Sequence, residues 1–157
     1  MAKRHGASVR LAVPADRDAV RPLLEEVRAS FGEPGGGLDP ILDAALGGSS
    51  LDLLLAHVED VPVGLVSVAL APTSQGSGLF AWLDDLYVRP AHRRLGLGRL
   101  LVESAIERAR ARGASEIRLA AAMGDAGVVA LYRDAGFAAS GQAVLARSLH
   151  DEPTERR

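Results

Sequence analysis

Apolar and polar residues follow two different periods along the chain, and each period predicts one kind of element. Val9, Leu11 and Val13 alternate with polar or small residues, which indicates a short strand. A helix capped by Asp16 is predicted next, because apolar residues then recur at helical spacing: Val20, Leu23, Leu24 and Val27. A second short helix is predicted over residues 38–46, where two glycines end it.

The middle of the chain carries three consecutive strand patterns. Residues 51–58 and 61–70 are predicted to form a hairpin with a tight polar turn at Glu59 and Asp60. Residues 79–88 follow as a third strand after a glycine-containing turn. These segments predict an antiparallel run of three strands.

The second half changes to helical spacing. Residues 98–112 present Leu101, Ala105 and Ala109 at four-residue intervals, which predicts a helix that Gly113 ends. Residues 116–122 are apolar and predict a strand.

Turn and cap residues mark the ends of the remaining predicted elements. Asp125 is predicted to cap a helix that extends through Ala135 and ends at Gly136. One or two closing strands are predicted after Phe137, including residues 144–149.

This order of elements predicts the fold class. It is an α/β (α+β) arrangement with a mixed, mostly antiparallel central sheet of six to seven strands, flanked by about four helices on both faces. A length of 157 residues predicts a single domain, placed over residues 1–150, with a flexible polar tail at 151–157.

Composition narrows the function classes. The chain has no cysteine, which excludes a disulfide scaffold, a thiolate zinc site and a cysteine nucleophile. Its four histidines lack metal-ligand spacing, so no metal site is predicted. A formal net charge of −2 gives no general attraction to nucleic acid or anionic lipid, and no apolar run is long enough to span a membrane. We therefore expect a cytoplasmic monomer or homodimer without nucleic-acid or membrane partners.

One turn carries candidate chemistry. The segment Arg93-Arg94-Leu95-Gly96-Leu97-Gly98 lies between the strand at 79–88 and the helix at 98–112. The first amides of a helix have no partner in the helix and form an anion-binding site, which glycines keep open. The turn therefore accepts a diphosphate, although the same residues also suit a plain tight turn with a solvated basic rim.

Two nucleotide-binding motifs are excluded at this turn. A dinucleotide fingerprint requires a third glycine where Leu101 stands. A P-loop requires a lysine after its last glycine, and Lys3 is the only lysine in the chain.

Two blocks together resemble a known family. The pattern Leu86-x-Val88 followed by Arg93-x-x-Gly96-x-Gly98 resembles the acetyl-CoA signature of the GNAT superfamily of N-acetyltransferases. Downstream, Ala130-Leu131-Tyr132-x-x-x-Gly136-Phe137 resembles the second signature of that family. The resemblance implies a GNAT-like fold with acetyl-CoA as co-substrate and no metal.

The resemblance also implies how the donor is held. Backbone groups of Leu86, Tyr87 and Val88 would pair with the pantetheine arm as an added strand does. Arg93 or Arg94 would reach the 3′-phosphate. The amides that would bind the pyrophosphate belong to Arg94, Leu95, Gly96, Leu97, Gly98 and Arg99. Asp125 is also implied at the cofactor site, where many relatives carry asparagine; its side chain lacks the N–H₂ donor of an asparagine, so a contact donated by that group is not expected here.

Three residues are implied in the chemistry. Tyr132 matches the family tyrosine that protonates the departing thiolate. An alkylammonium with a pKa of about 10.4 must lose a proton before its nitrogen can attack, and a nearby carboxylate can accept that proton. Asp84 and Asp85 lie where that base is needed. Strand alternation predicts that they point to opposite faces, and the sequence does not choose between them.

The resemblance therefore predicts an N-acetyltransferase that moves acetyl directly to a primary amine of a small molecule or peptide, without an acyl-enzyme. The alternatives are a non-catalytic acyl-CoA sensor and a scaffold domain that binds nothing. The acceptor pocket is predicted at the 33–37 loop, the 72–78 loop and the closing strands, with Trp82 as a possible lining residue.

Overall fold

A computed structural model gives the fold for residues 2–4, 6–32, 37–48, 50–76 and 78–147. The strands are β1 (Ala2–Arg4), β2 (Ala7–Leu11), β3 (Leu51–Val58), β4 (Val61–Pro72), β5 (Leu79–Val88) and β6 (Glu116–Arg118). The helices are α1 (Arg17–Ser30), α2 (Asp39–Gly47), α3 (Leu97–Ala111) and α4 (Ala126–Asp134). The sheet follows chain order from β1 to β6, antiparallel throughout except for the parallel β5–β6 pair.

Two apolar clusters cover the two faces of the sheet. One joins α3 and α4 to residues such as Val66, Val68 and Leu83, and the other joins α1 and α2 to Leu53 and Leu65. The strands β3 and β4 are therefore buried on both faces, as their near-continuous apolar sequences require. The predicted α/β class, with four helices on both faces of a mixed sheet, is confirmed.

The predicted count of six to seven strands is met only in part. Five of the predicted strands form, as β2 to β6. The structure adds β1, which pairs with β2, and residues 138–147 contain no strand where a closing one was predicted. Val144 and Leu145 are 63% and 92% exposed, and no strand among the described residues pairs with their apolar alternation. Residues 148–157, which include the predicted tail, lie outside the described part of the chain.

Two further local predictions are corrected. The strand predicted over 116–122 ends at Arg118, because the chain then separates from β5. Asp16 precedes α1 without capping it through its side chain. Its carboxylate instead accepts the amide of Val13 at 2.8 Å and pairs with Arg10 at 2.7 Å. In the residues described, every helix is too short or too polar to cross a lipid bilayer.

Candidate active site

The sheet opens between β5 and β6. Register pairs join the two strands only from Phe80–Glu116 to Trp82–Arg118. Beyond Trp82, β5 continues to Val88 while keeping its partner β4 on the other side. In the described part of the chain, the second edge of β5 thus has no strand partner along its last six residues, and this leaves a gap that an extended ligand can enter.

A β-bulge lies in β5 beside this gap. Val68 pairs with Leu83 and Val66 pairs with Leu86, so Ser67 alone stands opposite Asp84 and Asp85. The extra residue breaks the alternation on which the opposite-face prediction rested. As a result, Leu83 and Leu86, an odd and an even position, both pack against the α3 side of the sheet.

Burial distinguishes the two aspartates. Asp84 is exposed, whereas Asp85 is half-buried and lines a cavity of about 420 Å³ between α1 and α2. The Asp85 amide donates to Ser67 Oγ at 2.9 Å, and Ser67 Oγ donates to Asp85 Oδ2 at 3.1 Å. Burial, and then the negative charge of Asp84, raises the pKa of the Asp85 carboxyl, while the Ser67 hydrogen bond opposes the rise. A carboxylate with a raised pKa is a stronger base than an exposed aspartate.

The glycine-rich turn leads into α3 with its amides turned away from protein acceptors. Arg94 and Gly96 have φ values of 66° and 78°, in the left-handed region. In the residues described, no backbone N–H from position 94 to position 99 donates to a backbone carbonyl, and no side chain caps α3. The first hydrogen bond of this helix runs from Leu100 to Gly96 at 3.1 Å. Consecutive unpaired amides at a helix start fit a diphosphate.

The glycine at position 98 points to a ligand rather than to packing. A Cβ built there would meet only Leu131 Cδ2, at 3.7 Å, which is ordinary van der Waals contact. Its backbone angle also lies outside the left-handed region, in contrast to Gly96. The fold therefore accepts a side chain at 98, and the open surface there suits close approach by a phosphate group.

The arginines around the turn are not equivalent. Arg93 donates through Nε to the Val88 carbonyl at 2.9 Å, and its guanidinium lies 5.9 Å from the centre of the Tyr87 ring. Arg99 pairs with Glu103 at 2.8 Å. Arg94 is exposed on the turn itself. Of the three, Arg94 is the one whose side chain makes no hydrogen bond or ion pair within the described residues, so it suits an external phosphate best.

Tyr132 lies on the opposite face of the sheet from Asp85. It is 9% exposed in the core between α3 and α4, and its ring meets Phe137 edge-on with centroids 5.7 Å apart. It also lines a cavity of about 570 Å³ with residues of the 119–123 and 137–144 segments. Burial raises the pKa of the phenol, so it keeps its proton at neutral pH. In the described residues its hydroxyl makes no hydrogen bond.

The turn, the open β5 edge and the α4 block belong to one stretch of sequence with known relatives. Residues 20–137 match the model of the acetyltransferase (GNAT) family. The chain belongs to the GNAT family of acetyltransferases. A search of curated proteins finds no match.

Solved structures agree with this membership at the level of the fold. An aminoglycoside acetyltransferase, meta-AAC0020, from an uncultured soil metagenomic sample is 18% identical, with a TM-score of 0.79 over 93% of this chain and 97% of that one. That protein was solved in complexes with trehalose and with sisomicin. A ribosomal-protein-alanine N-acetyltransferase from Brucella melitensis biovar Abortus 2308 is 23% identical, with a TM-score of 0.74 over 90% of this chain and 99% of that one.

Asp125 serves the GNAT domain structurally. Its carboxylate accepts the amides of Gly127 at 3.0 Å and Val128 at 3.1 Å, which caps α4 as the sequence predicts. Both contacts use Oδ1, and the side chain is exposed. Asp125 is therefore the residue that fixes the start of the helix carrying Tyr132.

Sequence reasoning missed a polar link between α1 and the end of β5. Glu26 accepts the Tyr87 hydroxyl at 3.1 Å and pairs with Arg89 at 2.8 Å. The hydrogen bond from Arg89 is the main cause that lowers the pKa of the Glu26 carboxyl. The link commits Arg89 to α1 and places the Tyr87 side chain on the α1 face, while the Tyr87 carbonyl faces Gly64 of β4.

The predicted acceptor loops are placed only in part. Gly76, in the 72–78 turn, packs beside Ser115. This contact lies near the start of β5 and not beside Asp85. Residues 33–36 lie outside the described part of the chain. Trp82 lines a separate cavity of about 230 Å³ with β6 and the 137–144 segment. No group of three or more potential metal ligands occurs in the described residues.

Proposed function

We propose that this GNAT protein transfers an acetyl group from acetyl-CoA directly to a primary amine. The observation that supports this most strongly is the run of unpaired amides at residues 94–99, next to a strand edge that also has no partner in the described residues. A diphosphate and an extended amide-bearing arm need those two features side by side. Acetyl-CoA carries both groups and supplies a thioester whose carbonyl carbon an amine attacks.

The proposed donor site uses few side chains. Amides of Arg94, Leu95, Gly96, Leu97, Gly98 and Arg99 hold the pyrophosphate, and Arg94 supplies charge. Backbone groups of Leu86 and Val88 pair with the pantetheine arm, whereas the Tyr87 carbonyl faces Gly64 of β4 and is not part of this edge. Because Val88 O already accepts from Arg93, this arginine fixes the end of the arm's track rather than reaching outward.

The acceptor approaches Asp85 from the α1–α2 face. Asp85 takes a proton from the ammonium form of the acceptor, directly or through water, and so leaves a nitrogen lone pair for attack. Its raised pKa makes this transfer less unfavourable than it would be for an exposed aspartate. Asp84, exposed on the other side of the bulge, acts on Asp85 through its charge.

The leaving group is protonated from the other face. As the nitrogen–carbon bond forms and the carbon–sulfur bond breaks, the thiolate takes the Tyr132 proton, and the remaining proton of the acylated nitrogen returns to the phenolate through water. Burial keeps that phenol protonated until the thiolate forms. Two faces of one gap thus supply the base and the acid, and no residue needs to carry the acetyl group.

The test compares Tyr132→Phe with the wild-type protein on a panel of primary amines. We expect kcat to fall by about 10²-fold to 10⁴-fold, the usual worth of a general acid, while the Kd for CoA stays within about twofold. Thiol release and CoA calorimetry measure the two quantities. A wild-type protein that binds CoA but acetylates no amine would instead be an acyl-CoA sensor, and the proposal would be wrong.

A further inference from the structure

The cavity beside Asp85 has a composition that selects among amines. Its described walls are mostly apolar: Leu24, Val27 and Phe31 from the α1 side, and Leu38 and Ile41 from the α2 side. Leu24, Val27 and Leu38 are 2%, 5% and 4% exposed, so these walls are part of the α1–α2 core. Such walls favour an apolar body and offer nothing to a second polar group.

Charge within the cavity is limited to two residues of the described lining. Asp85 is the one carboxylate, and Ser67 is its sole hydrogen-bond donor in the described residues. Arg28 is the one cation, and its guanidinium donates to the Gly37 carbonyl at 3.3 Å. One carboxylate neutralises one ammonium, and a second ammonium would face the apolar walls of the described lining.

The described lining also offers few free backbone groups with which a peptide could pair. Most of the walls belong to helices, whose backbone groups bond within the helix. At Asp85 the backbone amide already donates to Ser67 Oγ. A peptide would bring an N–H and a C=O at each residue into this space without partners.

We propose that the acceptor is a small primary monoamine on an apolar chain or ring, with no second positive charge. This proposal rests on the proposed acetyltransferase function and narrows its substrate. The ammonium pairs with Asp85, and the apolar body fills the space between α1 and α2. Phe31, 72% exposed at the end of α1, gains cover when that body binds. On transfer, Asp85 accepts the first ammonium proton, nitrogen bonds to the acetyl carbon as the carbon–sulfur bond breaks, and the thiolate leaves with the Tyr132 proton. The second proton of the acylated nitrogen passes through water to the Tyr132 phenolate and restores the phenol.

The test measures kcat/KM for ethylamine, butylamine and hexylamine with acetyl-CoA. Each added methylene should raise kcat/KM by about threefold to fourfold until the cavity is filled, as expected from burial of one methylene. The matched control is 1,6-diaminohexane, which has the same chain with a second ammonium. It should be at least about tenfold poorer than hexylamine, and sisomicin and an alanine-initiated peptide should be poorer still.

Two variants of one wall residue test the charge argument. Ile41 is half-buried, and Ile41→Asp adds a carboxylate to the wall. It should shift the diamine-to-hexylamine ratio of kcat/KM toward the diamine by about tenfold or more. The control is Ile41→Asn, because asparagine is neutral and nearly isosteric with aspartate. It should lower kcat/KM for hexylamine without raising kcat/KM for the diamine.

The outcomes separate the two proposals. If sisomicin, the diamine or the peptide is preferred over hexylamine, the monoamine assignment is overturned and the acetyltransferase stands. If chain length has no effect, the assignment is overturned in the same way. If CoA binds and none of these amines is acetylated, both proposals fail together.

Discussion

At the scale of single residues, Asp84 and Asp85 show how one inserted residue separates two chemically identical side chains. The bulge opposite Ser67 leaves Asp84 exposed and Asp85 half-buried in a cavity. Burial then raises the pKa of Asp85, and the charge of Asp84 adds to the rise. Asp85 is therefore our choice for the base, and Asp84 is the natural matched control.

Asp85→Asn tests that choice through activity and stability at once. We expect kcat/KM to fall by about 10²-fold to 10⁴-fold, whereas Asp84→Asn should change it by less than about threefold at its optimum. Asp84→Asn should also move the acidic limb of the pH–rate profile to lower pH, because it removes the like charge that raises the pKa of Asp85. Equal losses in both variants would contradict the assignment.

Asp85→Asn should increase folding stability at neutral pH, although it lowers the activity. Because the pKa of Asp85 is raised in the folded state, the folded protein binds this proton more tightly than the unfolded chain does. The contribution of Asp85 to stability is complete below the unfolded-state pKa of about 3.9 and is lost as the pH rises through the folded-state pKa. Asp85→Asn should therefore have a higher Tm than wild type at neutral pH, and thermal melts should show the advantage shrink toward pH 4.

At the scale of elements, the start of α3 has no hydrogen-bond acceptor for its first amides among the described residues, which is why we propose an anion there. The helix has neither an N-cap side-chain bond nor an acidic residue in its first turn. In an ordinary helix, either would satisfy the exposed amides and the positive end of the dipole. Within the described ranges, the strand edge beside it is also unpaired, so the two elements lack a partner at the same place.

Gly98→Glu and Gly98→Gln test the anion site at this helix. Both side chains fit, since a Cβ at 98 has only an ordinary contact with Leu131. A negative charge there should weaken CoA binding by about tenfold or more relative to Gln, a difference of about 1.4 kcal/mol. The Tm of the Glu variant should not fall, because an acidic residue favours a helix N-terminus. Equal CoA affinities by calorimetry would show that no phosphate binds there.

At the scale of the whole molecule, the sequence predicts the elements well and their side-chain neighbours poorly. The bounds of β3 and β5 match the predicted 51–58 and 79–88, because their apolar runs are interrupted by polar turns. The bulge was not predictable, since it depends on how β4 and β5 align and not on either sequence alone. The closing strand at 144–149 was predicted from alternation, which gives no information on whether a partner strand is available.

The candidate site shows the same contrast between features that the local sequence predicts and features that depend on tertiary packing. The donor turn is continuous in sequence, so motif and geometry could be compared directly. The proposed acceptor cavity joins α1, α2 and β5 from distant parts of the chain, and nothing in the local sequence marks Phe31 or Ile41 as lining it or Ser67 as bonding to Asp85. The placement of Asp85 and Tyr132 on opposite faces of the sheet likewise depends on tertiary packing.

The most direct test of the account is a product analysis with purified protein, acetyl-CoA and hexylamine. Mass spectrometry of the small molecules should find N-acetylhexylamine and free CoA formed in equal amounts, while the intact protein gains no acetyl group. Formation of CoA without the amide, or an acetylated protein that passes its acetyl group to the amine, would contradict direct transfer across the β5 gap.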